Sequence, residues 1–539
     1  MLQKFKYFTL AILSGILISL AFPPFDFTLG IFVALIPMLY IEHRLFENKT
    51  KNIKIFGYAY LTFFTWNLVD CWWLYYAAKI EGLAFEVLAN SLLFALMFLL
   101  FSLSKKHLPH KLWPVSFICL WLSLEFLHFQ DWELSWPWLS LGNVFANQPY
   151  LIQWYEFTGV LGGTLWVLAL NYMLFLCFLK YREHKVFNHQ VFRLLLRADF
   201  YLLAPIVLSV GLYFSYVEEE NPVQIVVAQP NIDPYSEKFR DMSPEQQIAK
   251  ALQLSYSKLS TKTDYLLLPE TAIQGQEWEE KLNDSRNINF LKSVVNKFPQ
   301  LKIVSGIASY GLVFPKDTHE LPVSYRKFYS DDQYYESYNA AIQIDSSSKY
   351  QLYHKSLLVM GAERVPFQKY FPSLAQLSMD FGGPAGTLGS QETRSVFTSP
   401  KNTKVAPIIC YESIYSDYVT EYVRNGANLL FILTNDGWWD DTPGYKQHFA
   451  FARLRAIENR RSIARSANTG VSGFIDQKGN IIAQTEWWKD DALAGTLNAN
   501  EKLTIFSQFP YLIGGIALIG LMSITIFYFY YRFQKKPSH

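Results

Sequence analysis

Cys410 is the only cysteine between residues 218 and 510, and it follows the apolar run 406–409. A thiol at the end of a strand, with no partner for a disulfide nearby, is a candidate nucleophile. A buried thiol of the core is the alternative that position alone leaves open. A thiol with a pKa near ~8.5 is mostly protonated at neutral pH, so a nucleophilic role for Cys410 requires a nearby base.

Carboxylates and a lysine follow two other apolar runs. Glu270 comes after the run 265–268 and Pro269, Lys355 lies in the run 350–358, and Glu363 follows eight residues later. Each of these side chains alone could be solvated or paired at the surface. Together, a carboxylate could take the proton of the thiol, while the lysine stabilises that carboxylate and an oxyanion. The combination predicts covalent acyl chemistry on Cys410.

Alternating strands and helices must bring these residues together. The patterns predict strands at 222–228, 265–268, 302–307, 405–410, 428–434 and 463–475, and a strand pair at 338–344 and 350–358. Helices are predicted from the Ser243 cap to about 259, at 417–425 and at 445–461. Such alternation is typical of a layered α/β domain. We expect Glu270, Lys355 and Cys410 to lie at strand ends of one sheet.

The remainder of the chain has the composition of a membrane protein. Hydrophobic residues make up 51% of the chain and charged residues 17%, and the net charge of +2 argues against nucleic-acid binding. Apolar runs of about 20 residues predict membrane-spanning helices. We interpret the first run as an uncleaved span, because no cleavage site follows it. The eight runs lie near 8–22, 27–41, 56–78, 83–103, 112–127, 161–179, 200–217 and 511–531.

Lysine and arginine are distributed very unequally between the two sides of this arrangement. With the N-terminus in the cytoplasm, 17 of these residues fall in inside segments, and only Lys79 falls in a short outside loop. This predicts cytoplasmic termini and an external domain at residues 218–508. The inside residues are Lys4, Lys6, Arg44, Lys49, Lys51, Lys54, Lys105, Lys106, Lys111, Lys180, Arg182, Lys185, Arg193, Arg197, Arg532, Lys535 and Lys536.

One outside loop, 128–160, is aromatic and contains no lysine or arginine. Either an interfacial belt or a lipid-facing vestibule would explain it. Its large aromatic residues include Trp132, Trp136, Trp138, Trp154 and Tyr155.

The candidate catalytic residues and the sequence around them resemble the nitrilase (carbon–nitrogen hydrolase) superfamily, and most closely its membrane branch, the apolipoprotein N-acyltransferases. The order Glu270, Lys355, Cys410 matches the Glu-Lys-Cys triad of that superfamily, and seven spans before the domain with one after it match the branch. The matching segments are Pro269-Glu270-Thr271, Tyr353-His354-Lys355, Gly361-Ala362-Glu363, Ile409-Cys410-Tyr411-Glu412 and Asn435-Asp436-Gly437-Trp438-Trp439.

The resemblance implies a fold and a set of roles. The fold is an α/β nitrilase-like α-β-β-α sandwich inserted before the last helix of an eight-helix transmembrane bundle, with domains at 1–217, 218–508 and 509–539. Cys410 is the expected nucleophile, Glu270 the general base and Lys355 the electrostatic stabiliser. Supporting roles fall to Glu363, Tyr411 and Glu412, and substrate contacts to Trp438 and to Phe239, where many members have tryptophan. The segment 311–332 is expected to be a family-variable insertion.

The implied reaction is transfer of a fatty acyl chain from a phospholipid, through a thioester on Cys410, to the α-amino group of the diacylglyceryl-modified N-terminal cysteine of an apolipoprotein. It needs no metal or diffusible cofactor. The resemblance places the chain in a bacterial inner membrane, with the catalytic domain on the periplasmic side. We expect a monomer that contacts membrane lipid and no nucleic acid.

Two rival functions use the same features differently. A membrane-tethered nitrilase-type amidase acting on a small amide would keep the triad, but one span would suffice as its tether. A transporter or receptor with a degenerate nitrilase domain should have lost Cys410 or Lys355 and should show repeated spans. Two weak motifs support neither rival. His107 and His110 have the H-x-x-H spacing of a metal site but lie in a basic loop, and the glycines at 382, 383, 386 and 389 predict a flexible loop and not a phosphate-binding one.

Overall fold

The protein is described here from a computed structural model, over residues 2–315, 321–328, 332–371, 373 and 386–534. It divides into a helical unit (Met1–Tyr75, Lys79–Tyr216 and Thr504–His539) and an α/β unit (Tyr76–Ala78 and Val217–Leu503). Gly382, Gly383, Lys535, Lys536 and parts of the predicted insertion at 311–332 lie outside the described residues.

Eleven of the α-helices belong to the helical unit, as far as the structure describes it. Six stretches are long and apolar enough to cross a membrane: Gln3–Ala21, Thr28–Glu47, Leu74–Ser104, Val160–His184, His189–Ser215 and Leu512–Gln534. Two further helices coincide with the other predicted runs, but one carries Lys54 and Asp70 and the other has only 16 residues. The count of eight spans therefore stays a prediction. In chain order the helices are α1 Leu2–Ala21, α2 Ile31–Ala34, α3 Ile36–Glu47, α4 Asn52–Cys71, α5 Leu74–Ser104, α6 Trp113–His128, α7 Tyr155–Thr158, α8 Val160–His184, α9 His189–Ser215 and, after the α/β unit, α14 Ile505–Gln508 and α15 Leu512–Gln534, of which α2 and α3 form one apolar stretch.

The run predicted at 56–78 is divided between two helices. Helix α4 ends at Cys71 and α5 begins at Leu74, and the backbone of α5 is non-helical at Lys79, where φ is 54°. Apolarity continues across this break, which is why a hydropathy pattern could not locate it.

The aromatic loop 128–160 folds into the interior of the helical unit. Trp138 and Tyr155 are fully buried, so neither the interfacial belt nor the lipid-facing vestibule accounts for these two side chains. The buried carboxylate of Glu125 accepts hydrogen bonds from the hydroxyls of Ser140 (2.5 Å) and Thr164 (2.6 Å). The hydroxyl of Ser140 in the loop is therefore satisfied by a buried acceptor and needs no contact with water.

The α/β unit contains two sheets. The first has eight strands in the order β14-β1-β2-β4-β6-β5, with β3 also paired to β4 and β7 to β6; the second has six, in the order β13-β12-β11-β10-β9-β8. The strands are β1 Pro222–Gln229, β2 Tyr265–Leu267, β3 Ile273–Trp278, β4 Lys302–Val313, β5 Arg326–Lys327, β6 Tyr334–Ile344, β7 Gln351–His354, β8 Phe397–Thr398, β9 Lys404–Ile409, β10 Leu429–Thr434, β11 Ile463–Ala467, β12 Gly473–Ile475, β13 Ile481–Gln484 and β14 Asp491–Asn498.

The two sheets pack face to face and helices cover their outer faces. The ring of Tyr265 in the first sheet meets Phe431 of the second edge-on, with centroids 5.2 Å apart. Apolar side chains of two helices, among them Ile248 and Leu291, join the core of the first sheet. This is the α-β-β-α sandwich that the sequence predicts. Its helices are α10 Pro244–Tyr256, α11 Arg286–Val295, α12 Ser416–Arg424 and α13 Pro443–Asn459.

Most predicted strands are present, but one is divided. The run predicted as a single strand at 463–475 forms β11 and β12, which pair antiparallel. Gly470 lies between them with a φ of 132°, a conformation that favours glycine. The predicted pair at 338–344 and 350–358 is confirmed as β6 and β7, with β7 shorter than expected.

Candidate active site

The three residues of the predicted triad follow strands of two different sheets. Glu270 follows β2 and Lys355 follows β7, both in the eight-stranded sheet, whereas Cys410 follows β9 in the six-stranded sheet. The expectation that one sheet carries all three is therefore wrong. The residues come together because the two sheets face each other.

Cys410 occupies a strained turn at the end of β9. Its φ is 49°, in the left-handed region, and it opens the tight turn Cys410–Ile414. Non-glycine residues adopt this conformation at a cost of about 1–3 kcal/mol, and they do so most often at functional sites. The residue is 7% exposed, so the thiol is buried.

Glu412 anchors this turn. Its buried carboxylate accepts hydrogen bonds from the backbone N–H of Ile409 (2.9 Å) and of Ser356 (2.8 Å), and from the hydroxyls of Tyr353 and Tyr418 (both 2.6 Å). Burial raises the pKa of Glu412 above its usual range, and these donors oppose that effect. The acid thus joins the end of β9 to the segment that carries Lys355.

The surroundings of Cys410 keep its thiol protonated. Burial raises the pKa of Cys410, the carboxylate of Glu270 raises it further, and Lys355 acts in the opposite direction. Because the protonated form dominates at neutral pH, thiolate formation needs a base in the site.

Lys355 lies between two carboxylates. Its Nζ is 3.3 Å from Glu270 Oε1 and 2.9 Å from Glu363 Oε1, and the side chain is 1% exposed. Burial alone would lower the pKa of Lys355, but the two carboxylates outweigh it and raise the pKa. Lys355 is therefore a permanent cation at physiological pH.

Asn339 of β6 joins the same two carboxylates from another side. Its Nδ2 donates to Glu270 Oε1 at 2.8 Å and to Glu363 Oε1 at 2.7 Å. The backbone N–H of Val359 donates to the other oxygen of Glu363 at 2.8 Å. The predicted acids are thus held by one amide and one amine in a fixed arrangement.

The loop that carries Glu270 lies against a glycine of β4. A Cβ added to Gly306 would lie 2.4 Å from the backbone nitrogen of Thr271 and 2.6 Å from the Cα of Glu270. Thr271 itself has a φ of 48°. The close approach fixes the backbone from which the Glu270 carboxylate projects.

A buried polar chain supports the turn of Cys410 from behind. His448 of α13 lies 2.9 Å from Ser413 and 3.2 Å from the carbonyl oxygen of Cys410, through Nε2, and 2.9 Å from Asp436 through Nδ1. Asp436 also pairs with Arg465. Burial lowers the pKa of His448 and Arg465 lowers it further, so the imidazole is neutral in this chain at physiological pH.

The aromatic residues of the prediction lie close to one another. The rings of Phe239 and Trp438 stack with centroids 6.1 Å apart, and both side chains are partly exposed. Tyr411 is buried and meets Tyr415 edge-on. The Phe239 and Trp438 rings thus form a stacked, partly exposed aromatic pair.

Two residues of this site escaped the sequence analysis. Asn339 lies in the predicted strand 338–344, which also contains the amide of Gln343, so an amide in this strand did not single out Asn339. Lys238, whose Nζ donates to the carbonyl oxygen of Glu270 at 2.9 Å, directly precedes Phe239 and carries no signal of its own.

Comparisons with known proteins identify the family of this chain. The chain belongs to the carbon–nitrogen hydrolase family, whose model matches residues 224–501, more than half of its length. Within that class, residues 14–173 match the apolipoprotein N-acyltransferase N-terminal domain.

Relatives that match this chain along nearly its whole length are named apolipoprotein N-acyltransferases. The chain is 29% identical over 525 residues to the apolipoprotein N-acyltransferase of Chlorobaculum tepidum, covering 95% of each chain. It is 26% identical over 549 residues to that of Pasteurella multocida, covering 97% of this chain and 94% of the relative. A solved member of branch 10 of the nitrilase superfamily from Saccharomyces cerevisiae is 15% identical with a TM-score of 0.35, covering 57% of this chain and 96% of that one.

Proposed function

We propose that this protein is an apolipoprotein N-acyltransferase. It takes a fatty acyl chain from a membrane phospholipid and transfers it to the α-amino group of a diacylglyceryl-modified N-terminal cysteine. The names of the relatives that cover both units support this function over that of a membrane-tethered amidase acting on a small amide.

The first half of the reaction forms a thioester. Glu270 takes the proton of the Cys410 thiol while the sulfur attacks the ester carbonyl carbon of the phospholipid. The resulting oxyanion is stabilised by the Lys355 ammonium. The ester C–O bond then breaks, and Glu270 returns the proton to the departing oxygen, which releases a lysophospholipid.

The second half discharges the thioester. The neutral α-amino group of the acceptor attacks the thioester carbonyl, and Glu270 accepts a proton from the nitrogen. The C–S bond breaks to give the amide, and the Cys410 thiolate recovers the proton from Glu270. The acyl chain is thereby moved without loss to water, which distinguishes the reaction from hydrolysis.

The proposal is carried by one observation: the carboxylates of Glu270 and Glu363 both contact the Lys355 ammonium, close to the protonated thiol of Cys410 in its strained turn. Glu363 and Asn339 position Glu270 and Lys355, Glu412 holds the turn, and the Phe239 and Trp438 rings contact the acyl chain. The proposal further includes eight spans, cytoplasmic termini and a monomeric enzyme in a bacterial inner membrane.

The test is the intact mass of the purified protein after incubation with phospholipid alone. We expect a gain of one acyl group that disappears when a diacylated lipopeptide is added. Cys410→Ala should show no gain. Cys177→Ala serves as the matched control, because Cys177 is a buried thiol of helix α8, and it should acylate normally.

The outcomes separate the competing functions. Absence of an adduct on folded protein would contradict the acyltransferase. Hydrolysis of a small amide by the same preparation, dependent on Cys410, would favour the tethered amidase instead.

A further inference from the structure

Lys238 is a buried lysine directly beside the proposed base. Its side chain is 2% exposed, and its Nζ donates to the main-chain oxygen of Glu270 at 2.9 Å. The turn Glu237–Asp241 that carries it is fixed by Gln247 of α10, whose amide donates to the Lys238 carbonyl oxygen at 2.6 Å. The backbone of Lys238 is therefore held by α10, and its amine is held by the main chain of Glu270.

A carbonyl oxygen is a weak partner for a buried ammonium. Burial lowers the pKa of Lys238 to about 8, although the charges of Glu270 and Cys410 act to raise it. A surface lysine stays charged to about pH 10. Lys238 therefore changes its charge within the pH range in which an enzyme works.

The charges of the site show what effect a protonated Lys238 would have. Two carboxylates, Glu270 and Glu363, face the single ammonium of Lys355. Transfer of the Cys410 proton to Glu270 does not change the total charge of the site. Glu270, Glu363, Lys355 and Cys410 together therefore keep one excess negative charge while the thiolate and then the oxyanion form. A second ammonium nearby balances that excess.

The other charged groups close to Cys410 are already paired. Asp436 acts on Cys410 but is neutralised by Arg465 and bonded to His448. On the segment of Lys238 itself, Glu237 and Asp233 interact with each other: the Asp233 backbone N–H donates to Glu237 Oε2 at 3.0 Å. Lys238 is thus the cation of the described site whose charge is not committed to a carboxylate side chain.

We propose that Lys238 is a positioning residue of this active site: it holds the backbone of Glu270 and, when protonated, adds the positive charge that favours the Cys410 thiolate. The inference rests on the proposed function only in taking Cys410 as the nucleophile. It extends that function by making a second lysine responsible for the pH dependence of thiolate formation.

The experiment measures alkylation of Cys410 by iodoacetamide between pH 6 and pH 10 on the full-length protein, with peptide mass spectrometry to separate Cys410 from the other cysteines. The wild-type rate should rise with pH and then show a shoulder near pH 8, where loss of the Lys238 proton raises the pKa of Cys410. Lys238→Met should react roughly tenfold more slowly at pH 7, since one unit in the pKa of the thiol is tenfold in thiolate.

Variants distinguish charge from structure. Lys238→Arg should restore the rate at pH 7 and remove the shoulder, because arginine does not lose its proton in this range. Lys258→Met, at an exposed lysine after α10, is the control and should match the wild type. If Lys238 had only a structural role, Lys238→Met would lower the alkylation rate equally at every pH. Lys238→Arg would then not restore the rate, and the wild-type profile would have no shoulder.

A wild-type profile without a shoulder overturns the inference and requires no variant, so unfolding of Lys238→Met would not leave the question open. Persistence of the shoulder in Lys238→Arg also overturns it. Because alkylation uses no phospholipid, a wild-type shoulder in a protein that forms no acyl adduct would contradict the acyltransferase while supporting the role of Lys238.

Discussion

At the scale of single residues, Asn339 is the side chain that links the two acids of the site. One amide nitrogen donates to Glu270 and to Glu363, the same two acids that Lys355 contacts. Without it, both carboxylates lose a buried donor, and Lys355 would be the contact that they still share. Glu270 could then rotate away from Cys410 without losing its contact with Lys355.

We therefore expect Asn339→Ala to slow acyl-enzyme formation by about tenfold to a hundredfold, since a hydrogen bond to a charged group is worth about 1.5–3 kcal/mol. The rate of mass gain with phospholipid measures this. Asn289→Ala removes an exposed asparagine of α11 and should leave the rate unchanged. An Asn339→Ala protein of unaltered fold and unaltered rate would contradict the shared-donor role.

At the scale of elements, the contact between β4 and the Glu270 loop positions the base. Only a residue without a side chain allows the backbone of Thr271 to approach Gly306 so closely. The approach is part of a sheet core that includes Ile303 and Ile307, so β4 cannot move aside. The loop must then adjust to any added atom.

Gly306→Ala should accordingly displace Glu270 and abolish most acylation of Cys410, with a loss of unfolding free energy of about 1–3 kcal/mol. Acylation rate and melting temperature are the two measurements. Gly57→Ala is the matched control, because an added Cβ at Gly57 meets nothing within 4 Å. Full activity of Gly306→Ala would show that the Glu270 loop tolerates displacement.

At the scale of the whole molecule, the distribution of lysine and arginine predicts which side of the membrane each unit faces. Ser347 is exposed in the turn between β6 and β7 of the α/β unit, and His184 is exposed at the end of α8 in a predicted inside segment. The four native cysteines are buried and provide a low background for thiol labelling.

We expect a membrane-impermeant maleimide to label Ser347→Cys in intact spheroplasts, and to label His184→Cys only after the membrane is permeabilised. Labelling both variants in detergent controls for reactivity. The opposite pattern would reverse the proposed orientation and place the catalytic chemistry in the cytoplasm.

Several features of this protein could be predicted from the sequence because they depend on neighbouring residues. Strands β1, β2 and β10 are β-branched or leucine-rich runs, and the start of α10 has a complete capping box at Ser243. Strand β14 was missed because Asp491–Asn498 has no strong strand pattern; its conformation comes from pairing with β1 along eight residues.

By itself, the sequence determined which residues of the α/β unit were available for chemistry: its one cysteine, a lysine and several acids, with Glu270, Lys355 and Cys410 each following an apolar run. The tertiary structure decided that Cys410 faces Glu270 and Lys355 across two sheets, and it recruited Asn339 and Lys238, which no local pattern indicated. The physical reason is that strand order and sheet packing arise from contacts between distant segments. A periodic pattern records only which side of its own strand each residue occupies.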